Sequence, residues 1–331
     1  MNAVVTGCAG FVGSHLAERL LQHGGAVVGI DNFLTGREAN VRRLLGYAGF
    51  AFVTEDIAVP SNIVAIVGEH IDWIDVVFHL ASPASPVDYQ RFPLETLVAN
   101  SRGTEHAVYL AHRFHARLIL ASTSAIYGDA PAHPQPEDYS GNVNPVDPRS
   151  CYIEGKRYAE ALVASAQRAG LIDAAIARIF NTYGPHMRLD DGRVVPTFIG
   201  QALRGEPLTV FGSGAQTRSF MYVDDLIDAL LRIASIPLDG ELALINVGNP
   251  AETPIRMLAS LVASICGVPL RTQNSVLPAD GPSRVRPDIT RARTLLDWEP
   301  NVGIIDGLRM TIEHFRRELA TESPMEQRRA G

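Results

Sequence analysis

The sequence predicts an α/β fold, a doubly wound parallel sheet with helices on both faces, joined to a smaller C-terminal α/β part. Three observations predict it. Short β-branched runs alternate with longer segments of helical periodicity through the first half of the chain. A glycine turn joins the first strand directly to the first helix, and beyond residue 180 the pattern loosens into Pro- and Gly-rich stretches.

Strands are expected at 3–6, 26–31, 51–54, 76–80, 117–122 and 174–179, and helices at 14–23, 94–114 and 154–168. Alternation of this kind builds a parallel sheet covered on both sides. Past residue 180, helices are expected near 196–204 and 256–266, whereas 223–234 and 244–247 read as one more helix and strand returning to the first sheet. The tail after Arg317, with its Ser-Pro and run of charges, reads as frayed.

Composition narrows the class of function. Hydrophobic residues make up 46% and charged residues 20% of the 331, which suits a soluble globular enzyme-sized chain and neither disorder nor a membrane protein. A net charge of -7 argues against a nucleic-acid surface, which needs clustered positive charge. The 3 cysteines, Cys8, Cys151 and Cys266, are odd in number and lack metal-ligand spacing, so free thiols in a reducing compartment are expected. The 10 histidines are scattered, and no metal is expected. The N-terminus runs straight into an apolar strand with no basic leader, which predicts a cytoplasmic protein.

The glycine turn is Gly7-Cys8-Ala9-Gly10-Phe11-Val12-Gly13. In that position a turn without side chains lets backbone N–H groups and the positive end of the helix dipole meet a pyrophosphate, as in a Rossmann-type dinucleotide site. Asp31 ends the second strand 21 residues after Gly10, where a carboxylate can accept both hydroxyls of the adenosine ribose and repel a 2′-phosphate. Arg37 could bind such a phosphate, but the carboxylate favours NAD over NADP. Asp56-Ile57, after the third strand, suits an adenine contact, although an Asp there also suits a turn.

The second motif is Tyr152-Ile153-Glu154-Gly155-Lys156 at the start of a helix, with Tyr152 and Lys156 four apart on one face. Lowering a phenol by ~3 pH units takes ~4 kcal/mol, about what an ammonium ~4 Å away supplies at an effective dielectric of ~20. Lys156, with the positive nicotinamide ring, is therefore expected to make Tyr152 a proton acceptor. A Tyr and a Lys at this spacing are common on helices by chance; following Ser122-Thr123-Ser124 at a strand end, they read as an active site. Thr123 can then hydrogen-bond the reacting hydroxyl and share its proton with Tyr152.

On these residues the chain resembles the extended short-chain dehydrogenase/reductases, and among them the UDP-glucuronate decarboxylases, or UDP-xylose synthases. The likeness runs from the N-terminus to about Phe315 and is carried by TGCAGFVGSHL, DNFLTGR, HLASPASPVDY, STSAIYGD, HPQPEDYSGNVNP, RSCYIEGKR, ARIFNTYGP, LDDGRVV, GEPLTVFGSGAQTRSFMYVDDL and RPDI. The resemblance implies NAD held through catalysis by Gly7, Gly10, Phe11, Val12, Gly13, Asp31, Asn32, Phe33, Asp56, Ile57, Leu80, Ala81, Ser122, Tyr152 and Lys156. It implies a UDP site at Asn181, Arg193, Val195, Phe211, Arg218 and Arg286, and a hexose near Ser82, Ser85 and Tyr89, with Tyr152, Lys156, Thr123 and Ser124 as the catalytic group. Guanidinium forks suit a diphosphate, and an aromatic ring suits uracil. It also implies a homodimer through helices 94–114 and 154–168. On this reading 1–180 and 222–250 form the NAD-binding domain, 181–221 and 251–317 the nucleotide-sugar domain, and 318–331 a flexible tail.

The implied reaction oxidises C4 of UDP-glucuronate, loses CO2 from the resulting β-keto acid, and returns the hydride to give UDP-xylose. The chain departs from that pattern at Ala125, where decarboxylases carry Glu, and at Val98 for Lys, Ile153 for Asp and His186 for Arg. A small residue at 125 resembles the 4-epimerases, including those acting on UDP-glucuronate, so decarboxylation and 4-epimerisation both stay open. A non-catalytic NAD-binding sensor is the alternative from another class; the joint presence of Thr123, Tyr152 and Lys156 speaks against it.

Overall fold

A computed structural model describes residues 1–59, 62–276 and 284–327. The first half runs β1 (Ala3–Thr6), α1 (Phe11–Gln22), β2 (Val27–Asp31), α2 (Glu38–Leu44), β3 (Phe50–Thr54), α3 (Ile63–Gly68), β4 (Val76–His79) and α4 (Pro86–Arg91). It continues through α5 (Pro93–Asn100), α6 (Arg102–Phe114), β5 (Arg117–Thr123), α7 (Ser150–Arg168) and β6 (Ala174–Ile179). The second half holds β7 (Thr182–Tyr183), α8 (Val194–Leu203), β8 (Leu208–Phe211), β9 (Thr217–Ser219), β10 (Met221–Tyr222), α9 (Val223–Ser235) and β11 (Ala243–Val247). Last come β12 (Glu252–Pro254), α10 (Ile255–Cys266), β13 (Thr272–Ser275), β14 (Arg284–Val285), α11 (Thr290–Leu296) and α12 (Ile304–Gln327).

Seven parallel strands form one sheet in the order β11-β6-β5-β4-β1-β2-β3. The order reverses between β1 and β4, and at such a switch point the loops leaving the carboxyl ends of neighbouring strands part to opposite faces and open a crevice. The sheet interior is apolar on both sides: Val4, Val5, Val77, Phe78, Leu118 and Leu120 are fully buried, which is why these strands read as near-continuous hydrophobic runs. The returning strand is Ala243–Val247, paired with β6 residue for residue.

Two expectations are corrected. The helix expected over 94–114 is two helices, broken at Ser101, whose backbone leaves the helical region (φ -97, ψ -82). Apolar spacing continues across the break, so periodicity could not reveal it. The chain after Arg317 is not a frayed tail from its first residue: α12 continues to Gln327, anchored by the fully buried Leu308, Ile312 and Phe315, and Glu318 forms an ion pair with Arg37. Residues 328–331 of that tail lie outside the described residues.

Candidate active site

A cavity of about 750 Å3 opens at the switch point, lined by the glycine turn, the ends of β2, β4 and β5, the start of α7 and the segment 179–193. Its dinucleotide half fits NAD on the geometry of the turn alone. Gly7 has φ +72, and a Cβ there would lie 2.8 Å from the Ala81 nitrogen; a Cβ on Gly13 would lie 2.2 Å from the Gly7 carbonyl oxygen. Neither position accepts a side chain. Gly10 is the N-cap of α1 and supplies no capping side chain, so the first amides of the helix remain open to an anion at the positive end of the dipole.

Asp31 stands at the end of β2, where its Oδ2 accepts from Ala9 N at 2.9 Å and its Oδ1 from Phe33 N at 2.8 Å. Burial raises its pKa while these amides pull it down. Asn32 reaches Asp56 at 3.0 Å, joining the two strand ends expected around the adenosine.

Across the cavity, Thr123 ends β5 and Tyr152 sits in the first turn of α7. The buried Tyr152 phenol is hydrogen-bonded by the Thr123 hydroxyl, which itself accepts from Ala125 N at 3.2 Å. Its ring stacks on Tyr89 at 5.2 Å with an interplanar angle of 5°. Burial pushes the phenol above its usual range, and the Thr123 hydrogen bond and the charge of Arg193 draw it back. Lys156 donates to the Ala121 carbonyl at 2.8 Å, and burial lowers its pKa to about 8 against the opposing charge of Glu160.

Ser122 donates to Glu160 at 2.5 Å. Arg178 clamps the same carboxylate at 3.0 and 2.8 Å, lies over the Tyr127 ring at 5.0 Å, and donates to the Tyr127 hydroxyl at 3.0 Å. This buried network locks β5, β6 and α7 together directly behind Thr123, Tyr152 and Lys156.

A further wall of the cavity joins two distant segments. Ser85 caps α4, accepting from Asp88 N at 3.1 Å and donating to Asp88 Oδ2 at 2.8 Å; the same carboxylate holds Arg188 at 3.2 Å. Arg193 donates to the Ala84 carbonyl at 2.8 Å and to the buried Asp191 at 3.2 Å. Ser82 accepts from Asn100 at 2.9 Å.

Thr123, Tyr152 and Lys156 thus face the same cavity as a turn built for a dinucleotide. The model of the NAD dependent epimerase/dehydratase family matches residues 3–248. The chain belongs to that family. Among relatives of this family member, UDP-glucuronic acid decarboxylase 1 of Danio rerio is 46% identical over 318 residues, covering 96% of this chain and 73% of that protein. UDP-glucuronic acid decarboxylase 4 of Arabidopsis thaliana is 45% identical, with 96% and 69% covered. Among solved structures, UDP-glucose 4-epimerase of Thermotoga maritima superposes with a TM-score of 0.87 at 28% identity, covering 96% of this chain and 100% of that one. UDP-glucuronic acid 4-epimerase of Bacillus cereus, in complex with UDP-glucuronic acid and NAD, superposes with a TM-score of 0.84 at 29% identity, with 96% and 99% covered.

In this epimerase/dehydratase chain the cavity wall takes in Gly7, Gly10, Phe11, Val12, Gly13, Asp31, Asn32, Asp56, Ile57, Leu80, Ala81, Ser122, Thr123, Ser124, Tyr152 and Lys156. It also takes in Ser82, Ser85, Tyr89, Asn181, Arg193 and Arg218. Four expected residues lie off that wall. Phe33 packs on Phe52, Val195 is buried in the core, Phe211 is half-exposed at the end of β8, and Arg286 lies 3.9 Å from Glu252. Arg149, Arg188, Asp88 and Asp191 line the cavity and were missed. Three of them stand inside quoted motifs, Asp88 in HLASPASPVDY, Arg149 in RSCYIEGKR and Asp191 in LDDGRVV, and that was the available signal. The four departures from the decarboxylase pattern, Val98, Ala125, Ile153 and His186, all line this one cavity. Ala125 packs against Tyr89, Cys151 and Tyr152.

Proposed function

We propose that the chain oxidises C4 of UDP-glucuronate and decarboxylates it to UDP-xylose or its 4-keto form. The observation that carries this reading is the meeting of Thr123, Tyr152 and Lys156 in one cavity of a chain 46% identical to a UDP-glucuronic acid decarboxylase. NAD, when bound between the glycine turn, Asp31 and Lys156, supplies a hydride acceptor and later a donor. Tyr152 takes the proton of the sugar 4-hydroxyl, and Thr123, donating to that phenol, stabilises its anion. Lys156, fixed on the Ala121 carbonyl, holds a positive charge on the floor of the site. The same Thr123–Tyr152 pair then faces the oxygen at C4 while the neighbouring C–CO2 bond breaks and electrons flow into an enolate. Arg193 and Arg218 would take the diphosphate as charge-assisted donors, and Ser82, Ser85 and Tyr89 would border the hexose.

A second reading, 4-epimerisation of UDP-glucuronate, is favoured by Ala125. With a methyl group beside Tyr89 and Tyr152, no carboxylate is available there, and a 4-keto sugar has room to turn over. Incubation with UDP-glucuronate and NAD separates the two: a product lighter by one CO2 supports decarboxylation, and a product of equal mass with inverted C4 supports epimerisation. Binding of NAD and UDP-sugars with no product from any of them would leave a sensor.

The two-part division, with 1–180 and 222–250 around NAD and 181–221 and 251–317 around the nucleotide sugar, belongs to the same proposal. So does a homodimer through α5, α6 and α7, whose Leu94, Tyr109 and Tyr158 are exposed. Three free thiols, Cys8, Cys151 and Cys266, suit a cytoplasmic setting.

A further inference from the structure

At its adenosine end the cavity is bordered by Asp31 and, beside it, Arg37. Both hang on one residue of the glycine turn: Ala9 N donates to Asp31 at 2.9 Å, and Arg37 N donates to the Ala9 carbonyl at 3.0 Å. A guanidinium in that place is the group that accepts the 2′-phosphate of NADP. Here it is already engaged. Glu318, contributed by α12 from 281 positions further along the chain, forms an ion pair with Arg37 Nη2, and Nη1 reaches the Met187 carbonyl at 3.4 Å.

The pair is not a loose surface contact. Its side chains are only 26% and 20% exposed, His314 Nε2 stands 3.7 Å from the other Glu318 oxygen, and α12 is anchored one turn earlier by buried Phe315 and Ile312. A carboxylate held in this way competes with a phosphate for the same nitrogen atoms, with no ordering left to be done.

We propose that Glu318 is a specificity-determining residue, which excludes NADP by occupying Arg37. Discrimination then has two layers. Asp31 repels the 2′-phosphate directly, and Glu318 withholds the cation that would attract it. The inference concerns the dinucleotide alone and stands whichever sugar reaction the enzyme performs.

The test measures bound nucleotide rather than turnover. Purified protein is exchanged against an equimolar mixture of NAD and NADP, freed of unbound nucleotide and denatured, and the released NADP:NAD ratio is read by chromatography. Asp31→Ser provides the background in which the first layer is gone. Adding Glu318→Gln is expected to raise the NADP:NAD ratio about tenfold over Asp31→Ser alone, the low end of one charge-assisted hydrogen bond. Adding Arg37→Gln to that pair of changes is expected to abolish the gain. An unchanged ratio after Glu318→Gln, or a gain that survives loss of Arg37, overturns the proposal. Should Glu318→Gln fail to fold, Asp31→Ser with and without Arg37→Gln gives an independent answer. The two ratios are expected to agree, because Arg37 is already occupied, and a lower NADP share without Arg37 overturns the proposal.

Discussion

Replacing Glu160 by Gln tests the support behind the reacting groups. The carboxylate accepts from Ser122 at 2.5 Å and from Arg178 at 3.0 and 2.8 Å, and the side chains of the pair are 13% and 9% exposed. Gln keeps the shape and can still meet Ser122, but it leaves the Arg178 charge buried without its counter-ion, which costs about 3–5 kcal/mol. A chain of 331 residues has a melting entropy of about 0.7 kcal/mol per degree, so the thermal midpoint should fall by roughly 4–7 °C. The pH profile should move as well. Lys156 acts as a cation, which exists below its pKa of about 8, so activity should decline as pH rises through that value. Glu160 holds that pKa up, and its neutralisation should bring the decline to lower pH. Calorimetry and a kcat/KM profile across neutral to alkaline pH make the measurement. An unshifted midpoint together with an unshifted alkaline limb would refute the account of this network.

Tyr152→Phe should reduce turnover of any UDP-sugar by ~100-fold or more while the protein still retains NAD, read by product chromatography and by the nucleotide released on denaturation. Gly13→Ala forces a Cβ to within 2.2 Å of the Gly7 carbonyl oxygen, so the purified protein should lose its dinucleotide; full NAD content would contradict the cradle geometry. Arg193→Ala removes the bond to Ala84 and leaves Asp191 buried without its ion pair. KM for the UDP-sugar should rise about 10–100-fold with a smaller change in kcat. Ala125→Glu returns a carboxylate to the wall beside Tyr89 and Tyr152, where burial raises its pKa and makes it a proton donor. The share of decarboxylated product from UDP-glucuronate should increase, and an unaltered product ratio would show that position 125 does not steer the reaction.

The parts legible from sequence are those in which local order and chemistry coincide. The glycine turn is legible because its spacing falls within seven residues directly after a strand, although the Cβ forbidden at Gly7 is barred by Ala81, far along the chain; β1, β2 and β4 to β6 are legible because their residues are largely apolar and buried. Tyr152 and Lys156 share a helix face, so their spacing alone brings them together. What stayed hidden depends on partners remote in the chain. Arg188 meets Asp88 across 100 positions, and Arg37 meets Glu318 across 281. The bond that fixes Lys156 on the Ala121 carbonyl, 35 positions away, is likewise beyond what helix spacing reveals. Phe211 and Arg286 have suitable chemistry for uracil and phosphate, but residue type does not specify which way a side chain leaves the backbone.

The seventh strand of the sheet arrives late, from Ala243 to Val247, and covers the flank of β6. A protein truncated after residue 180 would therefore display a row of unsatisfied amides and carbonyls along Ala174–Ile179, an open ribbon edge of the kind that recruits other chains into aggregates. The cofactor-holding region cannot be excised as a stand-alone cassette. Transplanting it into another scaffold means carrying the later residues with it, and limited proteolysis between β6 and β11 should yield fragments that stay associated until denatured.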